Sequence, residues 1–372
     1  MTTINIEKQE LIKILSIGSQ FAGKNKSFQV LDTSLVKIYK DCISVTSFDG
    51  ENQVTINGSI LDAIEGELDI LVEAKGIIDY VKLIPSDNIT MIINDDSTKM
   101  KIKHEHGATV MPLMPSDEFP VSDRSDFTKE YHIKSQDLKY LISYGRNFTA
   151  HEELRPIMNG IYIYFSRDTV GICGTDSHKL LSIDIHYDGE DFGDEYGFTV
   201  NDKAFASIIS ICGMSDIIDI RVSDNMVEFK AGDEMSIRAR LIEGNYPHFR
   251  SVIPDNSPII FSMDKDALIH SIQRAAVSRS VVSSMIVFDI KDGVMTIKAS
   301  NTDTGKEGKE KLPADTDAVI EIGVRYEQLM TCLSSVDTDE VVIEMRDNTR
   351  AILFKDKDSA DKTVLLMPVR VL

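Results

Sequence analysis

Asp176, Ser177 and His178 stand side by side, and these residue types serve as orienter, nucleophile and base in acyl transfer. Neighbours in one turn cannot easily converge on one reacting atom, so the trio reads as a turn and not as a triad. The acidic run at 188–195 (DGEDFGDE) lacks the ligand spacing of an EF-hand and reads as a solvated loop. His151 and His186 have no ligand-spaced companions, and Cys42, Cys173, Cys212 and Cys332 are scattered with no CxxC. These cysteines read as reduced, mostly buried thiols of a cytoplasmic protein. There is no GxxxxGK(S/T) phosphate loop, no HExxH and no GxSxG elbow. The expectation is a protein without catalytic residues, metal or cofactor, whose chemistry is that of binding.

Composition bounds that binding. The 372 residues allow two or three domains, and 42% hydrophobic with 27% charged residues is ordinary for a globular protein. No apolar run approaches the roughly 20 residues of a membrane span, and the N-terminus lacks the pattern of a signal peptide. A formal charge of -20 argues against whole-surface binding to nucleic acid, which needs Lys and Arg at phosphates. It leaves room for a protein that holds nucleic acid topologically through a local positive surface.

The elements that would position any site follow from an internal repeat. Six short segments carry apolar residues at i, i+3 and i+4, which places them on one helix face. They are Leu11/Ile14/Leu15, Ile77/Tyr80/Val81, Leu138/Leu141/Ile142, Phe205/Ile208/Ile209, Leu268/Ser271/Ile272 and Leu329/Cys332/Leu333, with Ser271 the polar exception. Five residues before each stands an apolar residue: Ile6, Val72, Ile133, Val200, Met263 and Val324. The spacings between triads are 66, 61, 67, 63 and 61 residues, close to one sixth of the chain.

Between the helices, alternating or β-branched stretches at 42–48, 88–94, 160–166, 226–231, 285–290, 294–300 and 340–345 predict strands. Polar turns such as Lys291-Asp292-Gly293 separate them. One strand–helix–strands unit cannot cover both faces of its sheet, so units should pair, giving three domains of two units. Pro- and acid-rich stretches at 111–126 and 243–258 fall where crossings between domains are needed. The expected boundaries are 1–127, 128–253 and 254–372.

Specific residues then carry a resemblance. The segment NGIYIYFSRDTVGICGTDSHKL (159–180) resembles the signature of the bacterial DNA polymerase III beta subunit, in which an Asn-Gly strand leads to a Thr-Asp-Gly-His-Arg-Leu turn. LIEGNYPHFRSVIP (241–254) resembles that family's crossing between its second and third domains, and VLLMPVRVL (364–372) resembles its Met-Pro-Met-Arg-Leu tail. MPLMPSDEFP (111–120) resembles the end of its first domain. With the six repeats, the resemblance covers essentially the whole chain. It implies an α+β DNA clamp fold, with sheets outside and short helices lining a ring. It further implies a homodimer that encircles double-stranded DNA without sequence preference, and no membrane association. The implied partners are a clamp loader, the replicative DNA polymerase and other proteins carrying a clamp-binding motif. Geometry agrees: helices packed about 8–10 Å apart leave a hole of about 10 Å for six and about 28 Å for twelve. Duplex DNA is roughly 20 Å across, so two protomers are needed.

By the resemblance, a partner-peptide pocket is built from Met158, Thr175, Ser177, His178, Lys179 and Leu180, with Pro247 and Val252 from the crossing. Val282, Leu365, Met367, Pro368, Val369 and Arg370 complete it. The apolar members suit a peptide's hydrophobic side chains, while His178, Lys179 and Arg370 suit its carbonyls or a carboxylate. Ser177 stands where the family pattern has Gly, Lys179 where it has Arg, and Ser251 at a commonly basic position. DNA-facing candidates are Lys24, Lys26 and Arg155 in turns, and Lys134, Lys139, Arg146 and Lys203 on or beside helices. Ile272, Ala275, Ala276 and Val277 are the candidates for the dimer contact, the alternative being an ordinary buried helix face. A non-catalytic, repeat-built structural or adhesive protein also accounts for the repeat and the acidity. It leaves unexplained why the turn, the crossing and the tail occur in clamp order.

Overall fold

The computed structural model of the chain describes residues 1–23, 28–120, 126–359 and 361–371. Six times the chain runs strand, helix, three strands. The first repeat is β1 (Thr2–Glu7), α1 (Lys8–Gly18), β2 (Ser34–Tyr39), β3 (Cys42–Phe48) and β4 (Asn52–Ser59). The second is β5 (Glu67–Val72), α2 (Ala74–Lys82), β6 (Asn88–Ile93), β7 (Lys99–His104) and β8 (Gly107–Pro112). The third is β9 (Lys129–Lys134), α3 (Ser135–Gly145), β10 (Gly160–Ser166), β11 (Thr169–Thr175) and β12 (Lys179–His186). The fourth is β13 (Tyr196–Asn201), α4 (Phe205–Ile211), β14 (Ile217–Val222), β15 (Met226–Ala231) and β16 (Met235–Arg240). The fifth is β17 (Ile259–Asp264), α5 (Lys265–Ala276), β18 (Met285–Lys291), β19 (Val294–Asn301) and β20 (Lys306–Pro313). The sixth is β21 (Ile320–Arg325), α6 (Tyr326–Ser334), β22 (Glu340–Met345), β23 (Ile352–Asp356) and β24 (Lys362–Leu366).

Consecutive repeats exchange their leading strands. Strand β1 pairs with β6 of the second repeat, and β5 with β2 of the first. The same reciprocity joins β9 to β14, β13 to β10, β17 to β22 and β21 to β18. A lone repeat would leave its helix's apolar stripe and one sheet edge uncovered, so exchange ties repeats in pairs.

By compactness the chain divides into two units, Met1–Tyr140 with Lys203–Leu241, and Leu141–Asp202 with Ile242–Leu372. The first holds an eight-stranded sheet, β5-β2-β3-β4-β16-β15-β14-β9, and a four-stranded sheet, β1-β6-β7-β8. The second holds β13-β10-β11-β12-β24-β23-β22-β17 and β20-β19-β18-β21. All pairings are antiparallel.

The apolar spacing seats the helices. Every leading apolar residue is buried, from Ile6 at 0% exposure to Met263 at 7%. So are the triads of α1, α3, α5 and α6, including Ser271 at 1%. Two expected positions differ: Tyr80 is only half-buried, and in α4 Ile211 is buried while Ile209 is half-buried. A 3-10 turn at Asp202–Ala204 leads into α4, and Phe205, Ile208 and Ile211 then fall on its buried face at three-residue spacing. Asp264 caps α5 by accepting the Ala267 N–H at 2.6 Å, and Glu73 caps α2 through the Gly76 N–H at 3.1 Å. The Lys291-Asp292-Gly293 turn is a tight hairpin, with φ of +53° at Asp292 and +71° at Gly293.

Candidate functional site

The second unit contains a cavity of about 830 Å3. One wall is the turn between β11 and β12. Asp176 organises it: Oδ1 accepts the N–H groups of His178 at 2.9 Å and Lys179 at 2.8 Å, and Oδ2 pairs with Lys179 Nζ at 2.9 Å. Thr175 Oγ1 donates to the Lys179 carbonyl at 2.8 Å and accepts the Ser177 N–H at 3.1 Å. This asks residue 177 for a left-handed backbone, and Ser177 adopts φ +74°. The Gly of the family pattern would hold that φ without steric cost. Asp176, Ser177 and His178 are thus joined by turn geometry, as the sequence predicts.

The second wall is the crossing segment. Tyr246 stacks on Tyr162 with centroids 4.9 Å apart, and Phe249 lies 5.9 Å from Tyr164. The Arg250 guanidinium sits 4.8 Å over the Tyr164 ring and pairs with Glu195 at 3.6 Å. These contacts fix Pro247, Phe249 and Val252 at the cavity. Its floor is the apolar cluster of Leu180, Phe249, Ala351 and Leu365, backed by Tyr164, Cys173 and Leu353. Burial pushes the Cys173 thiol and the Tyr164 and Tyr246 hydroxyls upward, so all three stay neutral and none is an activated nucleophile. The third wall is the tail: β24 pairs with β12, Leu365 opposite Leu180, and the Met367 N–H donates to the His178 carbonyl at 2.7 Å.

Met158, Thr175, Ser177, His178, Lys179, Leu180, Pro247, Val252, Leu365 and Met367 line this cavity. Val282, Pro368, Val369 and Arg370 do not. Val282 is 95% exposed in the loop after α5. Beyond Met367 the chain turns aside to bridge β21, the Val369 N–H donating to the Gly323 carbonyl at 2.8 Å, which takes the last three off the lining. Lys179 also differs from its expected role. Only 10% of its side chain is exposed, its charge is paired with Asp176, and it lies 5.3 Å from the Phe148 ring centroid. It braces the turn and offers little to a peptide.

Sequence reading missed His248, Phe249 and 253–256 on the crossing, and Arg346, Thr349, Arg350 and Ala351 at the β22–β23 turn. The crossing was visible as a Pro- and aromatic-rich segment. The turn carries no motif, and strand pairing alone brings it to the cavity.

The basic candidates are dispersed. Lys24 and Lys26 lie outside the described residues. Lys134, Lys139 and Arg146 are exposed; Arg155 pairs with Glu152 at 3.0 Å and Lys203 with Glu51 at 2.7 Å. Arg146 lines a second cavity of about 470 Å3, with His151, Glu152, Asp176 and His178. Of the residues expected at a dimer contact, Ile272, Ala275 and Ala276 are 0–2% exposed, because α5 packs that face onto β19 and β20 of its own chain, as the buried-face alternative expects. Of the four, Val277, at 77% exposure, has surface to offer.

Known proteins place the whole chain. Family profiles described as the N-terminal, central and C-terminal domains of the DNA polymerase III beta subunit match residues 2–123, 132–248 and 250–370. A protein named Beta sliding clamp from Pseudomonas putida is 22% identical, covering 98% of this chain and 99% of its own. The Beta sliding clamp of Staphylococcus aureus is 24% identical over 85% of this chain and 84% of its own. The crystal structure of the DNA polymerase III subunit beta from Pseudomonas aeruginosa superposes with a TM-score of 0.92 at 21% identity, covering 100% of both chains. That of DNA polymerase III, beta subunit, from Thermotoga maritima gives 0.91 at 17% identity, again over 100% of both. Fold and family profiles agree along the full length, and the chain belongs to the DNA polymerase III beta subunit family.

Proposed function

We propose that the chain is a DNA sliding clamp, a non-catalytic subunit that closes with a second copy around duplex DNA and tethers replication and repair proteins to it. Strand topology carries this reading. Twice within the chain, two four-stranded halves join edge to edge, β4 to β16 and β12 to β24. Two halves remain open, ending at β8 and β20, and an open edge is a template for pairing with another chain. Strand β20 occupies the place in its repeat that β4 and β12 hold in theirs, and β8 corresponds to β16 and β24. Counted through the ladders from each repeat's leading apolar residue, Val54 opposite Ile237 and Leu181 opposite Val364 are equivalent pairs. The third such pair is Gly308 of one copy opposite Thr109 of the other. Two head-to-tail contacts of this kind close a ring by two-fold symmetry.

Domain boundaries at 1–127, 128–253 and 254–372 accord with the exchange of leading strands within repeat pairs. The cavity suits a short apolar segment of a partner such as the replicative polymerase, with the walls at Ser177, Val252 and Met367. Lys134, Lys139 and Arg146 are the candidates for phosphate contact, with Arg155 and Lys203 available by exchanging exposed carboxylate partners. Such contact is weak and independent of sequence. Ring opening calls for a separate clamp loader. No helix among the described residues is long and apolar enough to cross a membrane, which fits a cytoplasmic place of action.

Two measurements test the reading. Protein placed on nicked circular DNA by a cognate loader is expected to co-elute with the circle at high salt and to be lost when the circle is cut. Loss from the intact circle, with a loader shown to engage the protein, would leave the structural alternative ahead. In a Cys42→Ser background, Val110→Cys with Glu307→Cys is expected to cross-link two chains on oxidation. A dimer in solution that resists cross-linking there would overturn the edge pairing.

A further inference from the structure

The cavity extends past the expected pocket to the turn between β22 and β23, where Arg346, Thr349 and Arg350 line it. This turn is built locally. Asp347 Oδ1 accepts the N–H groups of Thr349 at 2.8 Å and Arg350 at 3.1 Å, and the Thr349 hydroxyl at 2.6 Å. These hydrogen bonds, the Thr349 hydroxyl first, hold the Asp347 carboxyl below the usual carboxylate range. That carboxylate is occupied with the turn's own hydrogen bonds, and the Arg350 charge acts on it only as the last and smallest of these causes. Arg346 and Arg350 are both exposed, and neither forms an ion pair with a described residue. Ala351, next in the chain, is 4% exposed and belongs to the apolar floor. Two guanidinium groups thus stand at the rim of an apolar slot, in a chain whose formal charge is -20. Asp255 is the one carboxylate among the residues lining the cavity, and the buried Lys179 is neutralised by Asp176.

We infer that this rim selects partners: the docking segment carries a carboxylate side chain beside its apolar anchor, received by Arg346 and Arg350. The inference rests on the cavity being the partner site and adds the chemistry of the segment that enters it. A guanidinium offers a planar fork of donors that fits a carboxylate, whereas an apolar slot alone cannot tell one hydrophobic peptide from another. Arg346 and Arg350 also do what Lys179 cannot, since its charge is already paired. An acidic chain carrying free arginines at one apolar opening favours acidic segments there and repels them elsewhere.

The test uses the full-length protein and fluorescein-labelled octapeptides in which a Leu-Phe pair is flanked by Ser and Gly. A single Asp is walked through the flanking positions, with Asn at the same position as the uncharged control. Fluorescence anisotropy is expected to show one Asp position binding about 5-fold tighter than its Asn isostere, as one exposed ion pair supplies. Arg346→Ala with Arg350→Ala should erase the ratio between the Asp and Asn peptides whatever it does to their common affinity, with far-UV circular dichroism as the check of an intact fold. Arg350→Glu should transfer the preference to a Lys peptide, and the preference should shrink at high salt. Equal binding of Asp and Asn peptides at every position would overturn the inference while leaving the apolar pocket standing. Failure of every Leu-Phe peptide to bind would overturn both.

Discussion

Replacing Lys362 with Met should destabilise the protein far more than its conservative volume change suggests. Lys362 lies on β24 with 3% of its side chain exposed. Its Nζ is 2.8 Å from Asp356 Oδ2, pairs also with Asp337, and sits 4.9 Å from the Tyr144 ring centroid. At 2.8 Å and an effective dielectric near 20, the attraction to Asp356 alone is roughly 6 kcal/mol before desolvation. Desolvating the two charges offsets much of that, so the intact pair contributes little net stability. Removing one partner is different. Asp356, 7% exposed, would remain as an uncompensated buried charge, at a cost of about 3–5 kcal/mol. Asp356 also accepts the backbone N–H groups of Asp337 and Thr338, a role Asn can keep. Lys362→Met with Asp356→Asn should therefore recover at least half of the loss. The chain has no Trp, so urea unfolding is best followed by far-UV circular dichroism. A loss below about 1 kcal/mol for Lys362→Met would refute the argument. So would a double variant as unstable as the single.

Ser177→Gly should raise stability by about 0.5–1 kcal/mol in the same assay, since relief of the left-handed strain at φ +74° outweighs the added freedom of the unfolded chain. Gly308→Ala would place a Cβ 2.4 Å from the Ala275 carbonyl oxygen and force α5 off β20. It should cost about 1–3 kcal/mol and, if β20 is the edge that meets a second copy as proposed, weaken dimerisation measured by sedimentation. Tyr144 has its hydroxyl pushed up to about 12 from 10.0, first by burial and then by its hydrogen bond to Asp337. The neutral form is favoured in the folded state, so its contribution is complete below pH 10 and is lost as pH rises towards 12. Tyr144→Phe should flatten the stability profile over that alkaline window, as read from unfolding midpoints at successive pH values.

The sequence made the fold legible because apolar spacing reports burial directly. Ile6, Leu11, Ile14 and Leu15 predict one covered face, and all four are at most 3% exposed. Strand exchange was not legible in the same way. The pairing of Ile6 with Ile89 depends on residues far apart, and no local pattern names the partner. The site divides similarly. The turn at Thr175, Asp176 and Ser177 could be read because its hydrogen bonds are local. Arg346 and Arg350 reach the cavity only through the β22–β23–β24 ladder, so nothing around them in the chain marked them. The α5 face shows the limit of periodicity. Ile272, Ala275 and Ala276 look the same in sequence whether the covering surface is a partner or the chain's own sheet.

The pairing of β4 with β16 and of β12 with β24 has a temporal consequence during synthesis. Gln53 must find Arg238, and Leu180 must find Leu365. Each partner leaves the ribosome 185 residues later (238 − 53; 365 − 180). At about 5–20 residues per second, each edge waits roughly 10–40 s with its amides unsatisfied. Strand β4 meets this interval with Gln53, Thr55 and Asn57 facing outward between Val54 and Ile56. Those polar residues keep the nascent edge soluble while leaving its backbone free to pair. A substitution such as Thr55→Ile, which takes from the finished sheet chiefly the hydrogen bond between the Thr55 and Thr46 hydroxyls at 2.9 Å, would therefore show its cost more as aggregation of newly made chains than as a lower melting temperature.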